Sequence, residues 1–259
     1  GAGVIAPLVF NALILASFTG LVGTELSQEK INEMADGLVL PYLGMAIFIG
    51  VLALAVKLSP LPELEKEEGD SDGETKGNLS AALAHPNLSL GVIALFFYVA
   101  VEVIAADTIG AFALSLGVEN YAIMTSYTMA FMVLGYVLGI ALIPRVISQQ
   151  TALAVSAVLG CILTVVIVLS DAQSNVLAMS LFGIDLPDTL LFIALTGLAN
   201  AIVWPAVWPL ALSGMGKLTS TGSALLVMGI AGGAFGPLFW GLASGTSVGQ
   251  QGAYIVMLP

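Results

Sequence analysis

The chain has 259 residues, 58% of them hydrophobic and only 9% charged, with a mean hydropathy of +1.04, against roughly 25% charged residues in an ordinary soluble domain. This composition excludes a soluble globular protein. One Cys and one His exclude a disulfide scaffold and a Cys/His zinc site, and six Lys plus Arg against seventeen Asp plus Glu, a net charge of -11, exclude a nucleic-acid binder.

The apolar runs are continuous and do not alternate with polar residues, which excludes an outer-membrane barrel and leaves an all-α membrane bundle. A helix needs about 20 apolar residues to cross the bilayer core. On this measure seven complete spans are expected, at 2–21, 39–58, 88–114, 121–143, 152–169, 190–212 and 223–243, and an eighth starts at 252. The chain opens on Gly1 inside apolar sequence and stops at Pro259 early in the eighth span, so both ends are expected to continue in a longer protein. No charged start and cleavage site of a signal peptide is present.

The first span contains Asn11 between Phe10 and Ala12. A polar group there needs a partner, either across a helix interface or on a ligand. The loop that follows the second span, 59–87, carries PELEKEEGDSDGE with seven acids and no apolar periodicity, which predicts a disordered linker. A calcium loop is disfavoured because the DxDxDG pattern and its terminal Glu are missing. Lys57, Lys66, Lys76, Arg145 and Lys217 fall in or beside alternate loops and only Lys30 on the other side. The positive-inside rule therefore places the linker in the cytoplasm.

In the third span Glu102 is the only ionisable side chain deep in apolar sequence. Counted from Leu88 at 1.5 Å per residue it lies about 21 Å in. A charge at that depth must face a polar cavity, pair, or stay protonated. It reads either as a ligand or proton-carrying carboxyl or as a hydrogen-bonded packing group. Tyr98, one turn earlier, shares its face, whereas Asp107 lies near the outer interface and is expected to be solvated. His85, before Pro86 and Asn87, marks the start of this helix, and Cys161 in the fifth span reads as a small apolar filler.

The sixth span, LFIALTGLANAIVWPAVWPLAL, places Thr196, Asn200, Trp204 and Trp208 at every fourth residue. Indole faces stack on the C–H faces of a sugar ring and an amide bonds its hydroxyls, a combination suited to a saccharide. Interfacial anchoring is the alternative for the tryptophans, more so for Trp208 near the cytoplasmic end. Pro205 and Pro209 remove N–H groups and free the carbonyls of Ala201 and Pro205, so the helix is expected to bend. In the seventh span Gly229, Gly232, Gly233 and Gly236 make overlapping GxxxG patterns, and Gly135 with Gly139 make another in the fourth. Such small faces permit close helix packing. Sliding at a gate is the additional reading for Pro205, Pro209, Gly232, Gly233 and Pro237.

GAGVIAPLVFNALI at the start matches AGGAFGPLFWGLAS at an offset of 230, pairing Gly3 with Gly233, Pro7 with Pro237, and Phe10 with Trp240. An offset of six helices around a charged loop is the plan of a major facilitator transporter, whose substrate site lies between two six-helix halves. Residues 1–58 would then hold the last two helices of the first half, 59–87 the linker, and 88–259 the second half, truncated in its last helix. These are family helices 5 to 12, with four missing upstream. No Cys-His dyad, metal-ligand cluster, GxSxG or phosphate loop appears, so an enzyme is not expected.

The run WPAVWPLALSGMGKLTSTGSALLVMGIAGGAFGPLFWGL, with HPNLSLGVIALFFYVAVEV, resembles the fucose permease family of sugar:proton symporters, most of all its glucose/galactose and N-acetylglucosamine branch. The resemblance is strong from His85 onward, weaker in the first two spans and absent in the acidic linker. It implies a multi-pass bacterial inner-membrane protein with sugar as substrate, the proton as coupling ion, no organic cofactor and no obligate protein partner. The acids that the family uses for proton coupling lie on helices this chain lacks, so Glu102 is expected to be a substrate contact. Asn11 would sit on the fifth family helix, among polar sugar contacts. A uniporter or drug exporter of the same fold, or a sugar-sensing receptor, stays open at this stage.

Overall fold

The computed structural model describes residues 2–13, 28–59, 79–183 and 185–258. The acidic run 62–74, with Lys66 and Lys76, and the end of the first expected span lie outside the described residues. Among the described residues there are helices and no strand. The helices are α1 (Ala2–Leu13), α2 (Gln28–Leu58), α3 (Pro86–Ser115), α4 (Met124–Leu142), α5 (Gln149–Leu169), α6 (Val176–Phe182), α7 (Asp188–Asn200), α8 (Val203–Ala211), α9 (Thr219–Met228), α10 (Gly232–Ser244) and α11 (Gly249–Gly252). Six segments among the described residues are long and apolar enough to cross a membrane: Ala35–Leu58, Pro86–Ser115, Tyr121–Leu142, Gln149–Leu169, Asp188–Ala211 and Gly216–Ser244.

Local chemistry sets several boundaries. His85 precedes Pro86 at the first helical position of α3, where a proline costs no hydrogen bond and its fixed φ suits the helix. α3 is closed off at Gly117, whose φ of 78° lets its own N–H and that of Val118 return to Leu114 and Ala113 without a Cβ clash. The Ser148 hydroxyl accepts from the Thr151 N–H at 3.1 Å and caps α5.

Four boundaries differ from the sequence-based expectation. α2 begins at Gln28 and not at 39, because its polar first turns continue the helix without a breaker. The sixth span starts at Asp188 and breaks at 201–202 into α7 and α8, just before the two prolines. The seventh starts at Thr219 and passes through a 3-10 turn, Gly229–Ala231, between α9 and α10. The last helical stretch begins at Gly249.

The loop after α5 holds an element that apolar counting missed. α6 has no side-chain cap of its own at Asn175. Instead the Asp188 carboxylate, 4% exposed, accepts from the Leu177 and Ala178 N–H groups at 2.9 and 2.8 Å and from the Ser174 hydroxyl at 2.7 Å. Asp188→Ala leaves two amides without an acceptor and is expected to destabilise this end of the bundle by about 2 kcal/mol. A lowered thermal midpoint in detergent checks this, with Asp188→Asn intermediate because the amide oxygen keeps both N–H bonds while the Ser174 hydroxyl loses its acceptor.

α3 is the central helix, packed on α10, α7, α8 and α4; α4 and α5 flank α7, and α1 lies on α4. The glycines set these approaches. A Cβ at Gly232 would enter the Phe96 carbonyl, and one at Gly236 would lie 2.5 Å from the Ala100 carbonyl. At Gly135 it would meet the Ala201 side chain at 2.5 Å. Gly233 faces Val99 and Val103. Close packing thus accounts for these residues, as GxxxG faces do generally. Gly3 of α1 likewise lies against the Met129 side chain of α4.

Gly91 touches Ala211 and the Gln149 side chain bonds Pro205, so the start of α3 and the loops bearing Arg145 and Lys217 share one end of the bundle. At the other end the Thr108 and Tyr254 hydroxyls are 2.8 Å apart. There the Gln251 amide donates to the Ile167 and Ser170 carbonyls at 2.8 and 2.7 Å.

Candidate functional site

The positions singled out in α3, α7 and α8 converge, though not on one cavity. Tyr98 is 7% exposed and Glu102, one turn on along the same face, is half-buried with its carboxylate beside the Tyr98 hydroxyl. Tyr136 of α4, which sequence reasoning passed over, stands in electrostatic reach of the same carboxylate. Its only sequence signal was a place between Gly135 and Gly139, whose small faces bring α4 close to α7.

Asn200 ends α7 and is 5% exposed, and its Nδ2 has no hydrogen-bond partner. An unmade bond of that kind is unfavourable by about 1–3 kcal/mol, which marks the amide as a group free to take a ligand. It lines a cavity of about 380 Å³ with Tyr98, Ser156, Cys161, Val203 and Met257 among others. Ligand pockets range over roughly 300–1,000 Å³, and this one falls within that range. Most of the wall is Ala, Val, Leu, Phe and Gly, and its polar atoms come from few side chains.

Glu102, Trp204 and Trp208 do not line this cavity. The expectation of one polar site combining amide, indoles and carboxyl is corrected to two adjoining sides, with Tyr98 touching both. The reason is helix geometry: positions four apart drift by about 40° per step around a helix of 3.6 residues per turn, and the cavity wall runs on from Asn200 through Val203 and Val207 instead. Trp204 and Trp208 are half-buried against the hydrophobic cluster that includes Leu95, Tyr98 and Val99, with ring centroids 5.7 Å apart and planes at 47°. The Trp208 Nε1 is buried without a partner, unlike an anchor whose N–H reaches the headgroups.

The remaining candidates separate. Asn11 is half-buried on α1, which packs on α4. Cys161 is exposed on the cavity wall and is not the buried filler expected. Asp107 is exposed as expected. Pro205 and Pro209 are exposed on α8, and Pro237 is half-buried within α10. No group of three or more His, Cys, Asp or Glu side chains suited to a metal occurs among the described residues.

The bundle is that of a polytopic membrane protein, and comparison with solved structures gives it a class. It matches the transporter FucP in its outward conformation with a TM-score of 0.69, 20% identity, and coverage of 98% of this chain and 61% of that one. It matches the E. coli fucose:proton symporter FucP with a TM-score of 0.71 and 20% identity over 98% and 62% of the two chains. The chain has the major facilitator fold.

In sequence it is similar to curated sugar transporters. It is 28% identical over 263 aligned positions to the glucose/galactose transporter of Brucella abortus biovar 1 (strain 9-941), across 97% of this chain and 56% of the relative. It is also 28% identical over 245 positions to a putative glucose/galactose transporter of Helicobacter pylori (strain J99), across 91% and 54%. The chain thus spans about half the length of these relatives, and the resemblance read from its motifs is borne out. No family model matches the chain.

Proposed function

We propose that the full-length protein carries a hexose or an N-acetylhexosamine across the bacterial inner membrane by alternating access, with the proton as coupling ion. It would be a transporter and not an enzyme, with no organic cofactor. Residues 1–58 form the end of its first six-helix half, 59–87 a cytoplasmic linker, and 88–259 the second half. The end bearing Arg145 and Lys217 faces the cytoplasm, in keeping with the positive-inside rule.

The observation that carries the reading is the Glu102 carboxylate beside the Tyr98 hydroxyl deep in α3. An ionisable group at that depth is costly and is retained where it serves a ligand or ion path. A carboxylate accepts two sugar hydroxyls, a phenol bonds a third, and an indole such as Trp204 covers a C–H face. The glucose/galactose transporters similar to this chain support the substrate class.

Uptake of labelled hexoses and N-acetylhexosamines by proteoliposomes holding the full-length protein tests the proposal. Accumulation that collapses with the proton gradient is expected. Uptake that ignores the gradient would make it a uniporter, binding without uptake a sensor, and neither binding nor uptake would overturn the sugar reading. Trp204→Ala is expected to weaken sugar binding about tenfold, as loss of a stacking face does, with the protein still folded but its thermal midpoint lowered by the lost packing. Unchanged affinity would return Trp204 to packing.

A further inference from the structure

A side chain outside the sugar-facing set holds the broken helix. Pro209 has no N–H, so the Pro205 carbonyl one turn earlier has no helical donor. In the structure the Gln149 Nε2 supplies it, donating to the Pro205 oxygen at 3.0 Å across 56 residues of sequence. Gln149 is the first residue of α5, directly after the Ser148 cap, so the amide is presented from an anchored helix start.

What it holds is a short piece. α8 runs only from Val203 to Ala211, and the turn at 201–202 separates it from α7. Pro205 leaves the Ala201 carbonyl without its intrahelical donor, so the joint at that turn is weakened on the main chain as well. Trp204 and Trp208 flank Pro205 on this piece. The Trp208 indole N–H is buried without an acceptor, so no hydrogen bond of its own fixes that ring. The position of the pair follows the backbone of α8, and the Gln149 amide is a directional tie on that backbone from a distant helix.

We infer that Gln149 is a positioning residue: by bonding the Pro205 carbonyl that Pro209 leaves free, it sets the placement of the Trp204–Trp208 pair. The consequence for sugar affinity rests on the transport reading above, whereas the consequence for the two indoles does not.

The test uses the full-length protein labelled with 5-fluorotryptophan, with resonances assigned by Trp204→Phe, Trp208→Phe and Trp240→Phe. Gln149→Leu keeps bulk but removes the donor, and it is expected to shift the Trp204 and Trp208 fluorine signals and leave Trp240 in place. Pro209→Ala restores an N–H one turn from Pro205. In that background Gln149→Leu is expected to add nothing. Gln149→Glu, which also lacks the donor, must behave as Gln149→Leu does and decides the matter if the leucine variant fails to fold. In uptake assays Gln149→Leu is expected to raise KM for the hexose about threefold, the scale of one hydrogen bond, with the maximal rate little changed, and Pro209→Ala is expected to rescue it. Unmoved fluorine signals, or shifts of equal size with and without Pro209→Ala, overturn the inference. If the protein carries no sugar, only the uptake arm is lost and the fluorine result still decides.

Discussion

Glu102→Gln in the full-length protein is expected to lower hexose affinity between about tenfold and a hundredfold, the range for replacing a charge-assisted hydrogen bond by a neutral one. The substitution keeps the shape of the side chain and its reach to Tyr98, so folding is preserved and the change isolates the carboxylate. A carboxylate accepts with both oxygens, whereas the amide offers one acceptor and a donor that has no counterpart in the Tyr98 hydroxyl's present role. The measurement is the sugar concentration for half-maximal uptake across a range of pH, since the variant also removes the one titratable group among the proposed contacts that changes charge in the acid range. Normal affinity with an unchanged pH profile would place Glu102 outside the site.

Gly232→Ala is expected to be the most destabilising small substitution in the bundle, by about 1–3 kcal/mol, as is usual for overpacking. The added Cβ would meet the Phe96 carbonyl, its carbon and its Cα, all backbone atoms of α3. No rotamer change relieves that contact, so α10 has to move away from α3 along its length. Gly236, against Ala100 in the same way, is expected to follow. Gly241→Ala is the control, because nothing lies within 4 Å of a Cβ there; with its better helix propensity alanine is neutral or slightly stabilising. Thermal midpoints of the three variants in detergent check the order. A Gly232→Ala protein melting with the parent would show that the two helices do not approach as closely as described.

The legible parts of the site were those that local chemistry dictates. The mid-span depth of Glu102 and its spacing from Tyr98 follow from helix geometry alone, and the structure brings the two groups together. The bend near Pro205 and Pro209 follows from their missing N–H groups. The stripe through Thr196, Asn200, Trp204 and Trp208 does not survive as one face, because positions four apart drift by about 40° per step around a helix of 3.6 residues per turn, and Val203 and Val207 carry the cavity wall on from Asn200. Asp188 and Gln149 were not legible, since each acts on a backbone group whose need arises elsewhere in the chain: α6 lacks its own cap, and Pro205 lacks a donor.

By itself the sequence determined the apolar character of this protein, the order of its long apolar helices from 88 onward, and the places where proline removes a helical donor. Hydrophobicity, length and proline stereochemistry are properties of short segments and need no partner. The tertiary structure decided which faces meet. Helix rotation is set by where small residues allow backbones to touch, and those contacts join α3 to α10 and α4 to α7 across long stretches of chain. That rotation turned Asn200 into a cavity and left Glu102 and Trp204 on its neighbouring side.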